Sequence, residues 1–223
     1  MGGMQCCRTS DTVDDKEFVK VANDPSGPSL STAEGASAVV DGADEFTAHI
    51  SAVSGHAGFH VDIADGESIV VSKIEDRTVD AWRSANPDCP TLLPNDKIVK
   101  ANGVVGDASK MVVELQSARS WDLSIQRPKE VSVTIDRAGS ALLGLDLQYA
   151  PNGATLVVCG VGEGPVQAWN DGQESPELRI ERLDRIVEIN GVRGAAKALM
   201  DAAGQREQLL RMSILKYGSS MVP

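Results

Sequence analysis

The stretch Asn95–Gly106 reads NDKIVKANGVVG, and the stretch Leu183–Gly194 reads LDRIVEINGVRG. The two superpose without a gap at a constant offset of 88 residues, and seven of the twelve positions are identical. The match continues upstream, where Ala81–Trp82 corresponds to Ala168–Trp169. A repeat with a period of 88 residues is the size of a small domain and is too long for a solenoid unit. The chain therefore contains two copies of one small domain.

Each copy shows the same order of predicted elements. Runs rich in Val and Ile, alternating with polar residues and bounded by turn residues, predict strands at 46–51, 59–64, 68–74 and 121–127, and again at 131–137, 145–149, 155–160 and 209–216. A further strand precedes each AsnGly turn. A short helix is expected around Trp82 or Trp169, and apolar residues at i and i+4 predict a longer helix at 108–118 or 195–203. The predicted fold class is α+β and mostly β, with two small, partly open β-barrels that each carry two α-helices.

The predicted boundaries follow from composition. Residues 1–44 are rich in Ser, Asp, Gly, Ala and Pro and are expected to be a disordered tail. The two domains are expected at 45–128 and 129–218, followed by a short C-terminal tail at 219–223. Because Arg127, Pro128 and Lys129 leave little linker, the relative orientation of the domains is expected to be fairly fixed.

A glycine-containing loop precedes the second strand of each copy. It reads HisAlaGlyPhe at 56–59 and LeuLeuGlyLeu at 142–145. This loop, the order of elements and the Asp-x-Ile-x-x-x-Asn-Gly stretch before the long helix together resemble the pattern of PDZ domains. The resemblance covers about residues 45–218. The resemblance implies that backbone N–H groups of the loop hold a peptide's terminal carboxylate, while the peptide adds as a strand to the exposed sheet edge.

The resemblance also implies a set of peptide-binding residues. These are His56, Ala57, Gly58, Phe59, His60, Val61, Ala108 and Val112 in the first copy, and Leu142, Leu143, Gly144, Leu145, Asp146, Leu147, Ala196 and Met200 in the second. Neither helix begins with the His of the family's best-known class, so an apolar ligand residue is expected two positions before the terminus. A slip of one residue would instead bring Ser109 or Lys197 there and favour a polar residue.

The leading functional hypothesis is a scaffold or adaptor that binds the C-terminal tails of partner proteins, with an apolar last residue in the tail. Two alternatives remain: a regulatory PDZ module of a proteolytic system acting in trans, and a structural or lipid-facing PDZ pair that binds no peptide. The net charge of −11 argues against nucleic acid as a partner.

Signals of chemistry are weak. His49, His56 and His60 lie close together near Ser51 and Ser54, but the chain has no GxSxG elbow, so no enzyme activity is predicted. No pair of metal ligands shows the expected spacing, and no cofactor is predicted. Cys159 lies in an apolar run and is interpreted as a small core residue.

The N-terminus reads MGGMQCC. Gly2 would accept a myristoyl chain, although position 6 holds Cys where the pattern has Ser or Thr, and Cys6 and Cys7 stand where palmitoylation commonly accompanies it. An unmodified tail is the alternative. No apolar run approaches the roughly 20 residues of a membrane span, and the scattered cysteines favour a reducing setting. The expected location is intracellular and cytoplasmic, at the cytoplasmic face of a membrane if the tail is acylated.

Overall fold

The computed structural model describes residues 45–51, 57–137, 139–140, 142–205 and 207–218. Several predictions concern residues outside these ranges: the acylation of Gly2, Cys6 and Cys7, the disorder of the N-terminal tail, and the role of His56. In the described part of the chain, no helix is both long and apolar enough to span a bilayer.

The first unit is a six-stranded antiparallel sheet with two helices. Its elements are β1 (Glu45–Ser51), β2 (Phe59–Asp62), β3 (Ile69–Ile74), α1 (Asp76–Ala85), β4 (Lys97–Ala101), β5 (Val104–Val105), α2 (Ala108–Ser117) and β6 (Ser120–Gln126). The strand order is β1-β6-β4-β3-β2, and β5 pairs with β4. Strand β1 alternates exposed and buried side chains, as its sequence predicts, and buries Phe46, Ala48 and Ile50.

The second unit repeats this arrangement. Its elements are β7 (Lys129–Asp136), β8 (Leu145–Gln148), β9 (Leu156–Val161), α3 (Pro165–Asp171), β10 (Arg185–Ile189), β11 (Val192–Arg193), α4 (Ala196–Gly204) and β12 (Leu209–Lys216). The order β7-β12-β10-β9-β8, with β11 beside β10, matches the first sheet strand for strand. One 3₁₀ turn, Pro176–Leu178, has no counterpart among the described elements of the first unit. The predicted fold class is confirmed.

Backbone irregularities are duplicated together with the regular elements. Ser72 is an extra residue of β3 opposite β2, and Cys159 is the corresponding extra residue of β9 opposite β8. Val99 of β4 and Val187 of β10 are likewise extra residues opposite β6 and β12. Each is a β-bulge, which bends the strand and increases its twist. The two units therefore share a backbone and not only a list of elements.

The aspartate of the repeated motif makes the same two kinds of contact in both units. Asp96 and Asp184 each accept a hydrogen bond from the backbone N–H three residues earlier, at 2.8 and 2.7 Å. Each also forms an ion pair with a cation at or just after the end of the closing strand: Asp96 with Arg127 at 2.9 Å, and Asp184 with Lys216 at 2.7 Å. The carboxylate thus fixes the loop that enters the strand and ties this loop to the last strand of its unit.

The repeated tryptophans hold the long connections. The indole N–H of Trp82 donates to the carbonyl of Pro90 at 3.1 Å, and that of Trp169 donates to the carbonyl of Leu178 at 3.0 Å. Trp82 is buried in the first core, whereas Trp169 is half-buried against the second. A large aromatic ring with one donor can pack against the core and also satisfy a loop carbonyl, and each tryptophan thereby fastens one long connection to its unit.

The two units meet through charged and aromatic side chains. The Tyr217 hydroxyl donates to the carbonyl of Asn95 at 2.9 Å, and the Lys97 ammonium lies 5.1 Å from the centre of the Tyr217 ring. Arg182 forms an exposed ion pair with Glu67 at 2.6 Å. The side chains of Glu67, Lys97, Arg182 and Tyr217 line a cavity of about 450 Å³. Burial raises the pKa of the Tyr217 phenol and lowers the pKa of Lys97.

Candidate functional site

Strand β8 is one edge of the second sheet, as the described strands form it. It pairs with β9 on one side and ends the strand order. An edge strand presents backbone N–H and C=O groups that an extended peptide can use. Helix α4 packs on β10, β11 and β9, which places it on the sheet beside this edge. Strand β8 and helix α4 therefore flank the surface where the sequence predicts the groove.

The loop before β8 is held by close backbone contacts. Gly144 has a φ of +76°, and a Cβ atom on it would lie 2.6 Å from the carbonyl oxygen of Gly162 and 2.8 Å from that of Glu163. A Cβ on Gly164 would lie 3.0 Å from the nitrogen of Gly144. The Val166 N–H, in the first turn of α3, donates to the carbonyl of Leu143 in this loop at 3.1 Å. Only glycine permits this approach and this φ.

Two backbone N–H groups of the same loop donate to no described residue. Among the described residues, no hydrogen bond involves the N–H of Leu143 or of Gly144. The Gly162 N–H donates to the Gly144 carbonyl at 2.8 Å, which makes Leu145 and Val161 a non-hydrogen-bonded pair and turns the Leu145 N–H towards the open edge. Successive backbone N–H groups around a glycine of positive φ form a concave site for an anion such as a carboxylate.

Apolar side chains line this edge without being covered. Leu143, Leu145, Leu147 and Met200 are half-buried and pack against the second core. Of the other predicted site residues, Leu142 is 47% exposed, Asp146 is exposed, and Ala196, at the start of α4, is buried. The second unit thus offers an apolar strip between the loop at Leu143–Gly144 and the edge strand β8.

The first unit differs at the corresponding positions. Ala57, Phe59, Val61 and Ala108 are buried, and Val112 is only 6% exposed. All but Ala108 belong to the first hydrophobic core cluster. His60 is half-buried. Side chains that would line a groove here have almost no apolar surface left for a ligand.

A side chain supports the first loop where glycine backbone supports the second. The Thr78 hydroxyl donates to the carbonyl of Gly58 at 2.8 Å, and a Cβ on Gly58, whose φ is +73°, would overlap that hydroxyl. The Glu75 N–H donates to the same carbonyl at 3.0 Å. The loop of the first unit is therefore tied to the start of α1 by one side-chain and one backbone hydrogen bond.

The residues considered for chemistry do not converge. Nδ1 of His49 lies 2.8 Å from Asp122 on the exposed β1–β6 surface. In the described part of the chain, no group of three His, Cys, Asp or Glu side chains could hold a metal ion. Cys159 is half-buried at its bulge and is not a member of the core cluster, so its interpretation as a core residue was wrong. Burial, and then the charge of Asp146, raises the pKa of its thiol, which lowers its reactivity.

The fold is PDZ-like. No protein-family model matches the sequence, and no curated protein matches it significantly. Among solved structures, the chain is similar to INAD PDZ45 in complex with an NG2 peptide, at 15% identity and a TM-score of 0.34, covering 86% of this chain and 98% of that one. It is also similar to INAD PDZ45 with NORPA CC-PBM, at 14% identity and a TM-score of 0.36, covering 84% and 99%. The strand order and the strand register define the fold.

Sequence reasoning missed three residues that shape this region. Gly164 supports the second loop, and the signal was the run GlyGluGlyPro after an apolar strand. Thr78 supports the first loop, and nothing in its sequence context distinguishes it from other helix residues. Arg185 is 1% exposed and lies between the two units, although its motif makes it look equivalent to Lys97.

Proposed function

We propose that the chain is a scaffold of two PDZ-like domains, at 45–128 and 129–218, whose second domain binds the C-terminal tails of partner proteins. The observation that carries this proposal is the edge strand β8, which lies beside half-buried apolar side chains and next to a loop whose N–H groups at Leu143 and Gly144 bond to no described residue. A tail would pair with β8, place its carboxylate at Leu143–Leu145 and bury apolar residues against Leu147 and Met200.

The ligand class follows from the chemistry of the groove. Ala196 offers no polar group at the start of α4. An apolar residue is therefore expected two positions before the terminus, as well as at the terminus itself. The proposal assigns no catalytic role to any residue and requires no cofactor.

The first domain is proposed to bind tails weakly or not at all, because its groove positions lie in its core. Each chain would then bind one tail. Peptide binding by the first domain, at residues 56–61, 108 and 112, remains a prediction. The stoichiometry of tail binding tests it directly. The alternative of a structural pair that binds no peptide would require both grooves to be inactive.

The location is also proposed from the sequence alone. Acylation at Gly2, Cys6 and Cys7 would hold the scaffold at the cytoplasmic face of a membrane. Substituting Gly2→Ala in the full chain and measuring incorporation of a myristate analogue tests this step. Unchanged incorporation in the variant would remove the acyl anchor from the proposal.

The deciding experiment is a binding screen of the full chain against a library of C-terminal peptides, repeated with each terminal carboxylate amidated. Binding that is lost on amidation supports carboxylate capture at one site per chain. Selected tails with Ser or Thr two positions before the end would overturn the ligand class. A screen that finds no peptide would overturn the scaffold function itself.

A pair of variants locates the site. Met200→Lys places a charge in the apolar strip and should weaken binding at least about tenfold. Val113→Lys is the matched control, since Val113 lies on the equivalent helix of the first unit and is 58% exposed. Equal affinity losses in the two variants would place the site elsewhere.

A further inference from the structure

Arg185 is the most deeply buried charge in the contact between the two units. Its side chain is 1% exposed, and Nη1 lies 2.6 Å from Oδ2 of Asp62, at the end of β2. Nη2 lies 3.5 Å from Oδ2 of Asp65 in the following turn. The guanidinium of the second unit is therefore enclosed by two carboxylates of the first. A buried cation is tolerated when such partners surround it.

The same guanidinium also contacts its own unit. Nη1 of Arg185 donates to Oγ1 of Thr155 at 3.1 Å, and Thr155 immediately precedes β9. One nitrogen thus joins a carboxylate of the first unit to the residue from which β9 begins. A planar guanidinium can hold two acceptors in fixed directions, whereas the single ammonium of a lysine fixes neither.

The sheet register continues this connection to the groove. Arg185 is paired with Val157 of β9, and Val157 is paired with Gln148, the last residue of β8. Arg185, Val157 and Gln148 therefore form one row across three strands. Strand β8, the proposed groove edge, begins at Leu145, three residues before Gln148 of this row.

The first unit has the same row but uses it differently. There Asp62 is paired with Val70, and Val70 is paired with Lys97. Asp62 occupies the position that Gln148 occupies in the second unit. The end of the first unit's edge strand is therefore engaged by Arg185, while the end of β8 remains half-buried and outside this ion pair.

We infer that Arg185 is a positioning residue for the peptide groove of the second unit: it holds the start of β9, and through it β8, and Asp62 of the first unit completes the contact. This inference rests on the proposed function for its biological meaning. Its structural content, the dependence of β8 and β9 on a carboxylate of the other unit, is measurable without any peptide.

The test is native-state hydrogen exchange in the full chain with Asp62→Asn, Arg185→Met and the double variant. Each single change should raise exchange of the amides of β8 and β9 by about tenfold or more relative to the β7–β12 ladder of the same unit. The double variant no longer leaves the Asp62 carboxylate buried without its cation, although Asp65 keeps its charge, and it should exchange more slowly than Arg185→Met alone. Arg182→Met, which removes only the exposed ion pair with Glu67, is the matched control and should leave β8 and β9 unchanged.

A general stability role would raise exchange uniformly in the second unit, and that result, like no change at all, would overturn the inference. If Arg185→Met fails to fold, Thr155→Val removes only the contact at 3.1 Å and should give the same local pattern with a smaller increase. Tails found in the screen should then bind Asp62→Asn and Thr155→Val more weakly than Arg182→Met. If no tail is found, the exchange result still decides the positioning role, so the two failures are separate.

Discussion

The two units have one backbone and two different surfaces. Both carry the same strand order, the same two bulges and the same aspartate and tryptophan contacts. At the edge strand, the first unit buries Phe59 and Val61 in its core, whereas the second leaves Leu145 and Leu147 half-buried. A duplicated backbone therefore does not imply a duplicated site, because the exposure of a few side chains decides whether a groove exists.

The largest expected effect concerns the glycines that support the two loops. Gly144→Ala forces a Cβ to within 2.6 Å of a backbone carbonyl at a φ of +76° and should lower the free energy of unfolding by about 3–5 kcal/mol. Gly58→Ala should cost a similar amount, because the new Cβ overlaps Thr78. Chemical denaturation of the full chain measures both changes.

The source of the overlap distinguishes the two loops. In a Thr78→Ala background, Gly58→Ala should cost about 2 kcal/mol less than in the parent, because a side chain and not backbone stands in the way. No side-chain substitution removes the carbonyl oxygens that face Gly144. An identical cost of Gly58→Ala in both backgrounds would contradict the difference drawn here between the loops.

The next effect separates core from groove at equivalent helix positions. Val112→Ala truncates a side chain that is 6% exposed and should cost about 2 kcal/mol of unfolding free energy, without affecting tail binding. Met200→Ala truncates a half-buried side chain and should cost about 1 kcal/mol while weakening tail binding. Calorimetry of unfolding and of peptide titration reports both quantities. Weaker tail binding in Val112→Ala would restore a working groove to the first unit.

A pH-dependent effect belongs to the contact between the units. Burial raises the pKa of Tyr217, so its contribution to stability is fully present below about pH 10 and is lost as the pH rises further. The lowered pKa of Lys97 has the opposite sign, because the cost of burying its charge is relieved as the pH approaches its ordinary value of 10.5. Tyr217→Phe should therefore flatten the fall in stability above about pH 10, by about 1 kcal/mol.

Absorbance titration of tyrosinate provides the measurement for this prediction. The signal missing from Tyr217→Phe should titrate well above the ordinary value of 10 in the folded chain. A Tyr217 signal that titrates at its ordinary value would show that the phenol is open to solvent and that the two units are not held together there.

The smallest expected effect lies in the repeated motif itself. Leu183 has a φ of +74°, and Asn95, its equivalent in the first unit, has a φ of +72°. Asn accepts the left-handed region more readily than a branched apolar residue. Leu183→Asn should therefore stabilise the chain by up to about 1 kcal/mol, and Asn95→Leu should destabilise it by a similar amount, as thermal unfolding would show. A Leu183→Asn variant that is less stable would indicate that the contact of Leu183 with the inter-unit cavity outweighs the backbone strain.

Much of the fold could be predicted because its information is local. The alternation in β1 and the i, i+4 spacing of Met111 and Leu115 place the same side chains inward that the structure buries. The short strands β5 and β11 were missed, since two residues after an AsnGly turn carry no periodicity. The loop glycines Gly58 and Gly144 were predicted from their motif, and both have positive φ.

The inter-unit contact could not be predicted, because it depends on residues that are remote in sequence. Asp62 and Arg185 are 123 positions apart, and each has an ordinary local role, one as a strand end before a turn and the other as the basic residue of a repeated motif. Lys97 and Arg185 occupy the same position of the motif, yet Arg185 forms ion pairs with Asp62 and Asp65, whereas Lys97 lies against the Tyr217 ring. Whether the first groove is open depends equally on packing that no single segment encodes.

The bulge at Cys159 has a consequence for how a tail would be read. Because β9 carries one residue more than β8 between Asp146 and Leu147, β8 cannot slide along β9 by one position without moving that irregularity. The N–H groups of the loop before β8 therefore keep a constant spacing to each side chain along the edge. The terminal carboxylate of a tail would therefore fix the register in which the tail pairs with β8. Adding residues before the last ones would leave the position of each last residue unchanged. Adding a single residue after them would shift every side chain to the opposite face of the strand.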